Sequence, residues 1–182
     1  MIKKRTLKFL ITLASVIVLT ALLILPAPAE RYVALLCPGL FLSILTGITC
    51  GVFPAILTGM LPPVLAAVLR DFGLSGISWQ VLCDSAVNTL SGVMAAIVYY
   101  RLKTSVGAVI SGILLGRIVF GVLFLVFRHL EGATYTLRQF AEDAFRNVWA
   151  GLLLSAVLIP VLIRVFRRYG LMKLLREEKM NV

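Results

Sequence analysis

The chain has 182 residues, of which 60% are hydrophobic and 14% charged, and it carries a formal net charge of +10. A soluble domain is about 45–50% apolar and about 25% charged, so this composition excludes a soluble enzyme, a disordered tail and a disulfide-stapled secreted module. Apolar runs, each close to the ~20 residues that cross a bilayer core, recur along the sequence. They predict a single membrane domain over residues 1–182, multi-pass in the inner or plasma membrane of the cell.

The expected fold class is an all-α bundle of six transmembrane helices, at about 7–27, 32–49, 52–70, 80–101, 105–128 and 145–166. The charge-free run over 32–69 would reach about 57 Å as one helix, which is too long for one crossing. Gly47 and Gly51 lie in its middle and indicate that it folds back. The pair Pro62-Pro63 predicts a kink or a shortening of the third helix.

Lysine and arginine positions predict the orientation. Of the 18 basic residues, 12 lie before the first helix, between the fourth and fifth, or after the sixth, and five lie on the opposite side. The positive-inside rule then places both termini in the cytoplasm, with a basic cytoplasmic tail over 167–182. The segment Arg164–Lys179, in which Leu174 and Leu175 stand among the charges, is expected to lie along the anionic leaflet or to dock a cytoplasmic partner. The sequence has no basic groove with interleaved aromatics, so no nucleic-acid partner is expected.

The N-terminus allows two interpretations. Met1–Arg5, the apolar run after it and Ala27-Pro28-Ala29 imitate a secretory signal and its cleavage site. The apolar run is longer than the usual ~7–15-residue core of such signals, so we expect a retained helix. Cleavage would leave five helices with the same C-terminal orientation.

Motifs of catalysis are missing from the sequence. The three cysteines, Cys37, Cys50 and Cys83, form no C-x-x-C pair, which argues against a redox relay or a metal site. The lone histidine, His129, is expected at a membrane interface. G-x-x-x-x-G-K-[ST], H-E-x-x-H and G-x-S-x-G are all absent, so the chain is not expected to be an enzyme.

Two charges fall inside the apolar segments. Arg117 lies near the middle of the fifth helix, where an unpaired arginine costs at least ~2.5–3.5 kcal/mol, and Asp84 lies in the first turns of the fourth. An ionisable group within the membrane is a candidate functional site because something must offset its desolvation. Asp84 shares a helix face with Asn88, and Asn147 begins a similar face on the sixth helix, polar outside and small within.

These side chains predict a pocket open to the outside. Arg117 would be its deep cation, with Asp84, Asn88 and Asn147 as hydrogen-bonding walls. Three residues near the outer ends would stack on or cover a ligand: Trp79, Gln80 and Trp149. The alternative interpretation is that Asp84 and Arg117 only pair with each other and that the asparagines bond across helices.

Small residues recur at helical spacing. Ser43, Gly47 and Gly51 are four apart, as are Gly112 and Gly116. Such faces let helices approach closely within a bundle. The alternative is a surface on which another membrane protein docks.

Two segments resemble the substrate-binding S components of energy-coupling factor (ECF) vitamin transporters. The glycine-rich stretch Ser105–Gly121, with Gly112, Gly116 and Arg117, is similar to a fifth-helix pattern G-x-x-x-G-R-I-V-x-G. The stretch Asn147-Val-Trp-Ala-Gly151, followed by Leu-Ile-Pro160, resembles the start and end of the last helix. Size, helix number and orientation extend the resemblance over the whole chain.

The resemblance implies a division of labour. An S component binds a vitamin or a related micronutrient in an outward-facing pocket. Arg117 adds the expectation that the ligand here, a vitamin or a precursor, is anionic or carries a carboxylate. The S component then topples in the lipid bilayer against a transmembrane T subunit powered by two ATPase subunits. ATP is bound by those partners, and no cofactor is expected in this chain. Many S components meet the T subunit through an A-x-x-x-A face of the first helix, and Ala14, Val18 and Ala21 fill that face only in part.

Two other functions stay open. One is a non-transport scaffold subunit of an envelope assembly, which would need no ligand pocket. The other is a self-sufficient secondary carrier, against which the lack of an inverted repeat counts.

Overall fold

The computed structural model describes residues 4–24, 36–70, 73, 77–132 and 134–176. This part of the chain is 89% helical and contains no strand, which confirms the all-α prediction. A π-helical turn, Glu142–Arg146, precedes the last long helix. The α-helices are α1 (Lys4–Leu23), α2 (Pro38–Cys50), α3 (Val52–Arg70), α4 (Trp79–Leu102), α5 (Ser105–Leu130), α6 (Leu137–Ala141), α7 (Trp149–Arg168) and α8 (Leu171–Arg176).

Five of these helices are long and apolar enough to cross a bilayer, as expected of a multi-pass membrane protein: α1, α3, α4, α5 and α7. The sixth apolar helix, α2, has 13 residues and extends about 20 Å, less than the ~30 Å of a hydrocarbon core. Residues 32–35 of the predicted second helix and the signal-like Ala27-Pro28-Ala29 lie outside the described residues.

The third and sixth predicted helices differ from their expected form. The third was expected over 52–70, with a kink or a shortening at Pro62-Pro63; α3 continues through both prolines to Arg70 and is not shortened. Both prolines are buried, and membrane bundles tolerate such interruptions where neighbouring helices surround the freed backbone groups. The sixth was expected over 145–166, yet the π-helical turn occupies 142–146 and delays the helix to Trp149.

The short helix α2 lies at the centre of the bundle. It packs against α1, α3, α4, α5, α7 and α8, and nine of its 13 residues are buried. A helix that is apolar all round is buried on all sides, so α2 faces protein where the other helices face lipid. The chain leaves it through Gly51, whose φ of +108° favours glycine, and this confirms the predicted fold-back.

Glycines bring α2 against α4, and α4 against α5. A Cβ atom added to Gly47 would overlap the carbonyl oxygen of Gly92, and one added to Gly92 would overlap Ser43. A Cβ at Gly112 would lie 2.7 Å from the carbonyl oxygen of Ser91. The small residues of α2 and α5 therefore pack within the bundle, as the packing interpretation predicted.

The short helix α8 covers one end of the bundle. Met172 and Leu175 are 7% and 4% exposed, and α8 contacts α1, α2 and α7. Leu175 was expected among residues that lie along the leaflet, but it packs into the bundle. The reason is tertiary: α2 ends nearby and leaves apolar surface for α8 to cover.

Gly47→Ala should destabilise the protein. The added methyl group meets a backbone carbonyl of a neighbouring helix, which cannot move aside like a side chain, and overpacking of this kind costs about 1–3 kcal/mol. Thermal unfolding of the purified protein in detergent would show a lower midpoint. Gly107→Ala is the control, because its Cβ would meet only the Thr104 hydroxyl and methine carbon at 2.9 and 3.9 Å. Equal midpoints for the two variants would contradict the close packing.

Candidate functional site

Arg117 is a buried cation at the middle of α5. It lies about 18–20 Å from either end of the helix, and its side chain is 6% exposed. Nη2 donates to Sγ of Cys37 over 3.9 Å, and the guanidinium carbon lies 6.0 Å from the centre of the Phe120 ring. The buried Nε has no hydrogen-bond partner in the described part of the chain. The guanidinium is thus only partly satisfied by protein groups.

Asp84 forms no direct ion pair with Arg117. The ion pairs between described residues are Arg128–Glu131, Arg138–Glu142 and Arg146–Glu142, and none of them involves Arg117. Asp84 is exposed near the start of α4. Asp84 and Arg117 therefore do not satisfy each other by a direct ion pair, although they are close enough to attract each other electrostatically. The guanidinium keeps one unsatisfied donor in a buried position, which is costly.

The predicted face of α4 grades from polar to small as expected. Asp84 is exposed, Asn88 is half-buried, and Gly92 and Ala96 are buried. The backbone carbonyl of Asn88 accepts a 2.6 Å hydrogen bond from Oγ of Ser43. The Asn88 side-chain amide lies against Gly39 at the start of α2, since a Cβ there would be 2.5 Å from Nδ2. The Asn88 side chain thus lies at the N-terminal end of α2. Arg117 contacts the same end through Cys37.

Besides Asp84, three predicted pocket residues lie on the surface. Asn147 is exposed, and its amide donates to Asp143 over 3.4 Å. Trp149 is 57% exposed, and Gln80 is also exposed. Asn147 does not share a helix face with Gly151, because the π-helical turn places Asn147 before α7 begins.

An aromatic cluster extends from Arg117 toward the end of α5, and four of its members were not predicted. It consists of Phe120, Phe124, Phe127, Trp79 and Tyr135. The Phe120 and Phe124 rings are 4.3 Å apart, Trp79 stacks on Phe127 at 4.9 Å and meets Phe124 at 5.2 Å, and Tyr135 is 5.8 Å from Phe124. The signal was present in the sequence: Arg117 and the phenylalanines at +3, +7 and +10 share one helix face.

The connection between α5 and α7 lies across this end of α5. Phe140 packs on Gly121, where a Cβ atom would sit 2.5 Å from its ring. Tyr135 donates from its hydroxyl to Asp143 over 3.3 Å. A separate open groove of about 440 Å³ lies beside it, lined by Leu125, His129, Gly132, Thr134 and Tyr135. Because Leu125 is two turns beyond Arg117, this groove does not reach the buried guanidinium.

The face of α1 formed by Ala14, Val18 and Ala21 points away from the bundle. All three residues are exposed, and Ile17 beside them is 58% exposed. The side of α1 that packs inward carries Val16 and Leu19 instead. The predicted partner-docking residues are thus available to lipid or to another membrane protein.

The Tyr135 hydroxyl should ionise only at high pH. Burial raises its pKa to about 12, and the negative Asp143 that accepts its hydrogen bond adds to the effect. The folded pKa exceeds the ordinary value of 10.0, so stability held by the protonated phenol is present below pH 10 and lost as pH rises toward 12. The tyrosinate absorbance difference between wild type and Tyr135→Phe should therefore appear only above about pH 11. Asp143→Asn should move it to lower pH, and a midpoint near 10 in wild type would contradict the contact.

No family model, curated protein or solved structure matches this chain. The basis for a function is therefore its own side chains. Within the described residues, the feature that indicates a ligand site is the buried guanidinium of Arg117, which contacts Cys37 just before α2 begins.

Proposed function

We propose that the chain is the substrate-binding S component of an ECF-type importer, with an organic anion as its substrate. The observation that carries the proposal is Arg117, which is buried in the middle of an apolar helix without a carboxylate partner among the described residues. A cation without a carboxylate in direct contact is unfavourable at that depth in a purely structural bundle. A bound anion would supply the missing charge and a hydrogen-bond acceptor for Nε.

The surroundings of Arg117 suit a small organic ligand. Asn88 offers a half-buried amide, and Phe120 and Phe124 offer apolar ring surface on the outward side. Ligand sites commonly combine apolar and aromatic walls with a few placed polar groups. Asp84, exposed one turn outward of Asn88, would bind a donor group of the ligand near the entrance. Trp79 covers the outer part of the aromatic cluster and would report on binding by its fluorescence.

The proposed topology has six crossings with both termini in the cytoplasm. In this arrangement α2 enters from the outer side and is shorter than a full span, and the cytoplasmic end of the bundle holds α8 and the basic residues Arg164, Arg167 and Arg168. The α5–α7 connection, with Tyr135 and Asp143, is then external. A ligand would approach Arg117 from this side.

The exposed face of α1 supports a role for partner subunits. Ala14, Val18 and Ala21 offer a shallow surface where a second helix approaches closely. We assign this face to the T subunit, which would couple the chain to two ATPase subunits. The chain itself needs no nucleotide site in such an assembly.

Arg117→Gln should release the ligand while the protein stays folded. Native mass spectrometry of the purified wild-type protein should show a retained small molecule, identified by its mass, and the variant should show none. Loss of a charge-assisted hydrogen bond of about 1.5–3 kcal/mol raises Kd by roughly 10- to 100-fold. Arg138→Gln, which removes an exposed guanidinium of the α5–α7 connection, is the matched control. Unchanged ligand mass and occupancy in Arg117→Gln would refute the assignment.

Enlarging the α1 face should weaken partner binding. Tagged wild-type protein purified from the cells that make it should bring down one transmembrane subunit and two ATPases, and Ala14→Leu/Ala21→Leu should reduce their yield several-fold. Ala141→Leu, the same change at an exposed alanine of α6, should not. Recovery of envelope proteins without ATPases would instead support the scaffold function.

A further inference from the structure

The start of α2 is a helix N-terminus inside the protein, at the depth of Arg117. Cys37 precedes α2, and its Sγ accepts the bond from Arg117 Nη2. Leu40, in the first turn, lies 3.6 Å from a Cβ position at Gly116, the residue next to Arg117. Because Arg117 lies near the middle of α5, α2 begins near the middle of the bundle.

The side chain at the N-cap position, Cys37, makes no capping hydrogen bond to the first turn of α2. A helix leaves the N–H groups of its first turn without acceptors in the helix itself. Pro38 has no N–H, and the N–H of Phe41 donates to the carbonyl of Cys37. The N–H groups of Gly39 and Leu40 belong to this first turn and have no acceptor within α2, and the helix dipole adds about half a positive charge at this end.

The buried guanidinium of Arg117 also reaches this end of α2. Arg117 is 94% buried, by its 6% exposure, its Nε has no partner in the described chain, and its Nη2 faces the residue that precedes α2. A cation, a positive helix end and two backbone donors thus converge on one place. The half-buried Asn88 amide borders it at Gly39.

We infer that the N-terminus of α2 and Arg117 together form a subsite for one carboxylate group. This rests on the proposed function, since it names the part of the site that holds the negative end of the substrate. Guanidinium and helix end together carry about +1.5, and Asp84 lies on the next helix, so the site suits one negative charge better than two. The two oxygens of a carboxylate match the planar guanidinium fork on one side and the backbone N–H groups on the other.

The first test uses benzoate as the probe on the purified protein in detergent. Sodium benzoate should raise the thermal unfolding midpoint with saturation, by roughly 3–6 °C at ten times its Kd. Benzamide, which has the same shape without the charge, should have no effect. Inorganic phosphate and phosphatidylglycerol should act more weakly than benzoate. A stronger effect of either phosphate would assign the site to a phosphate group and overturn the carboxylate assignment.

The second test builds the anion into the chain. Cys37 has φ +45°, in the left-handed region that Asp and Asn tolerate well, so Cys37→Asp places a carboxylate at the end of α2 and beside Arg117. This variant should unfold at a higher temperature than wild type and lose its response to benzoate. Cys37→Asn, the neutral match, should keep more of the response than Cys37→Asp, and Arg117→Gln should lose it while retaining its helical circular dichroism.

Each result decides the matter. A Cys37→Asp protein that keeps the benzoate response, or an Arg117→Gln protein that does, would overturn the subsite. If Cys37→Asp does not fold, the Arg117→Gln result alone decides. Benzoate binding without ATPase co-purification would leave the subsite standing and refute the importer, and the reverse pair of results would refute only the subsite.

Discussion

The structure depends on the close approach of a short, buried helix to its neighbours. Gly47 and Gly92 remove the side chains that would hold α2 away from α4, and Ser43 fixes the contact with a hydrogen bond to the backbone of Asn88. Because α2 is enclosed by protein, it need not match the thickness of the bilayer. The helix can therefore begin within the bundle. A helix that faced lipid could not begin at that depth, because the N–H groups of its first turn would need acceptors.

The charge of the site follows from this arrangement. Arg117 lies at the level where α2 begins, so a guanidinium, a positive helix end and the Asn88 amide meet in a buried place without a neutralising carboxylate in contact among the described residues. Buried positive charge of this kind destabilises the empty protein. The same charge favours binding of an anion, because the desolvation has already been met in folding and is not repeated on binding. An S component, which holds its substrate until it meets its partners, would gain affinity in this way.

The site was predicted in part. The bilayer cost of an intramembrane arginine was enough to identify Arg117, and four-residue spacing placed Asp84, Asn88 and Gly92 on one face. Asn147 was misplaced because a π-helical turn before α7 shifts the helical register by less than one turn. A shift that small does not show in the hydrophobic pattern of the sequence. Cys37 and the start of α2 were missed because a helix end inside a protein leaves no charge or polar run in the sequence. The aromatic cluster had a signal, the spacing of three phenylalanines from Arg117.

The amino-acid sequence by itself determined that the chain is an all-α membrane domain, that α3 and α5 extend over about 52–70 and 105–128, and that the chain turns near Gly51. These features depend on local hydropathy and on backbone preference, which act within one turn of helix. Only the tertiary structure decided that α2 lies at the centre, that α8 covers its end, and that Asp84 and Arg117 form no direct ion pair. These depend on which helices surround a segment, and an apolar residue facing lipid and one facing protein read alike in a sequence.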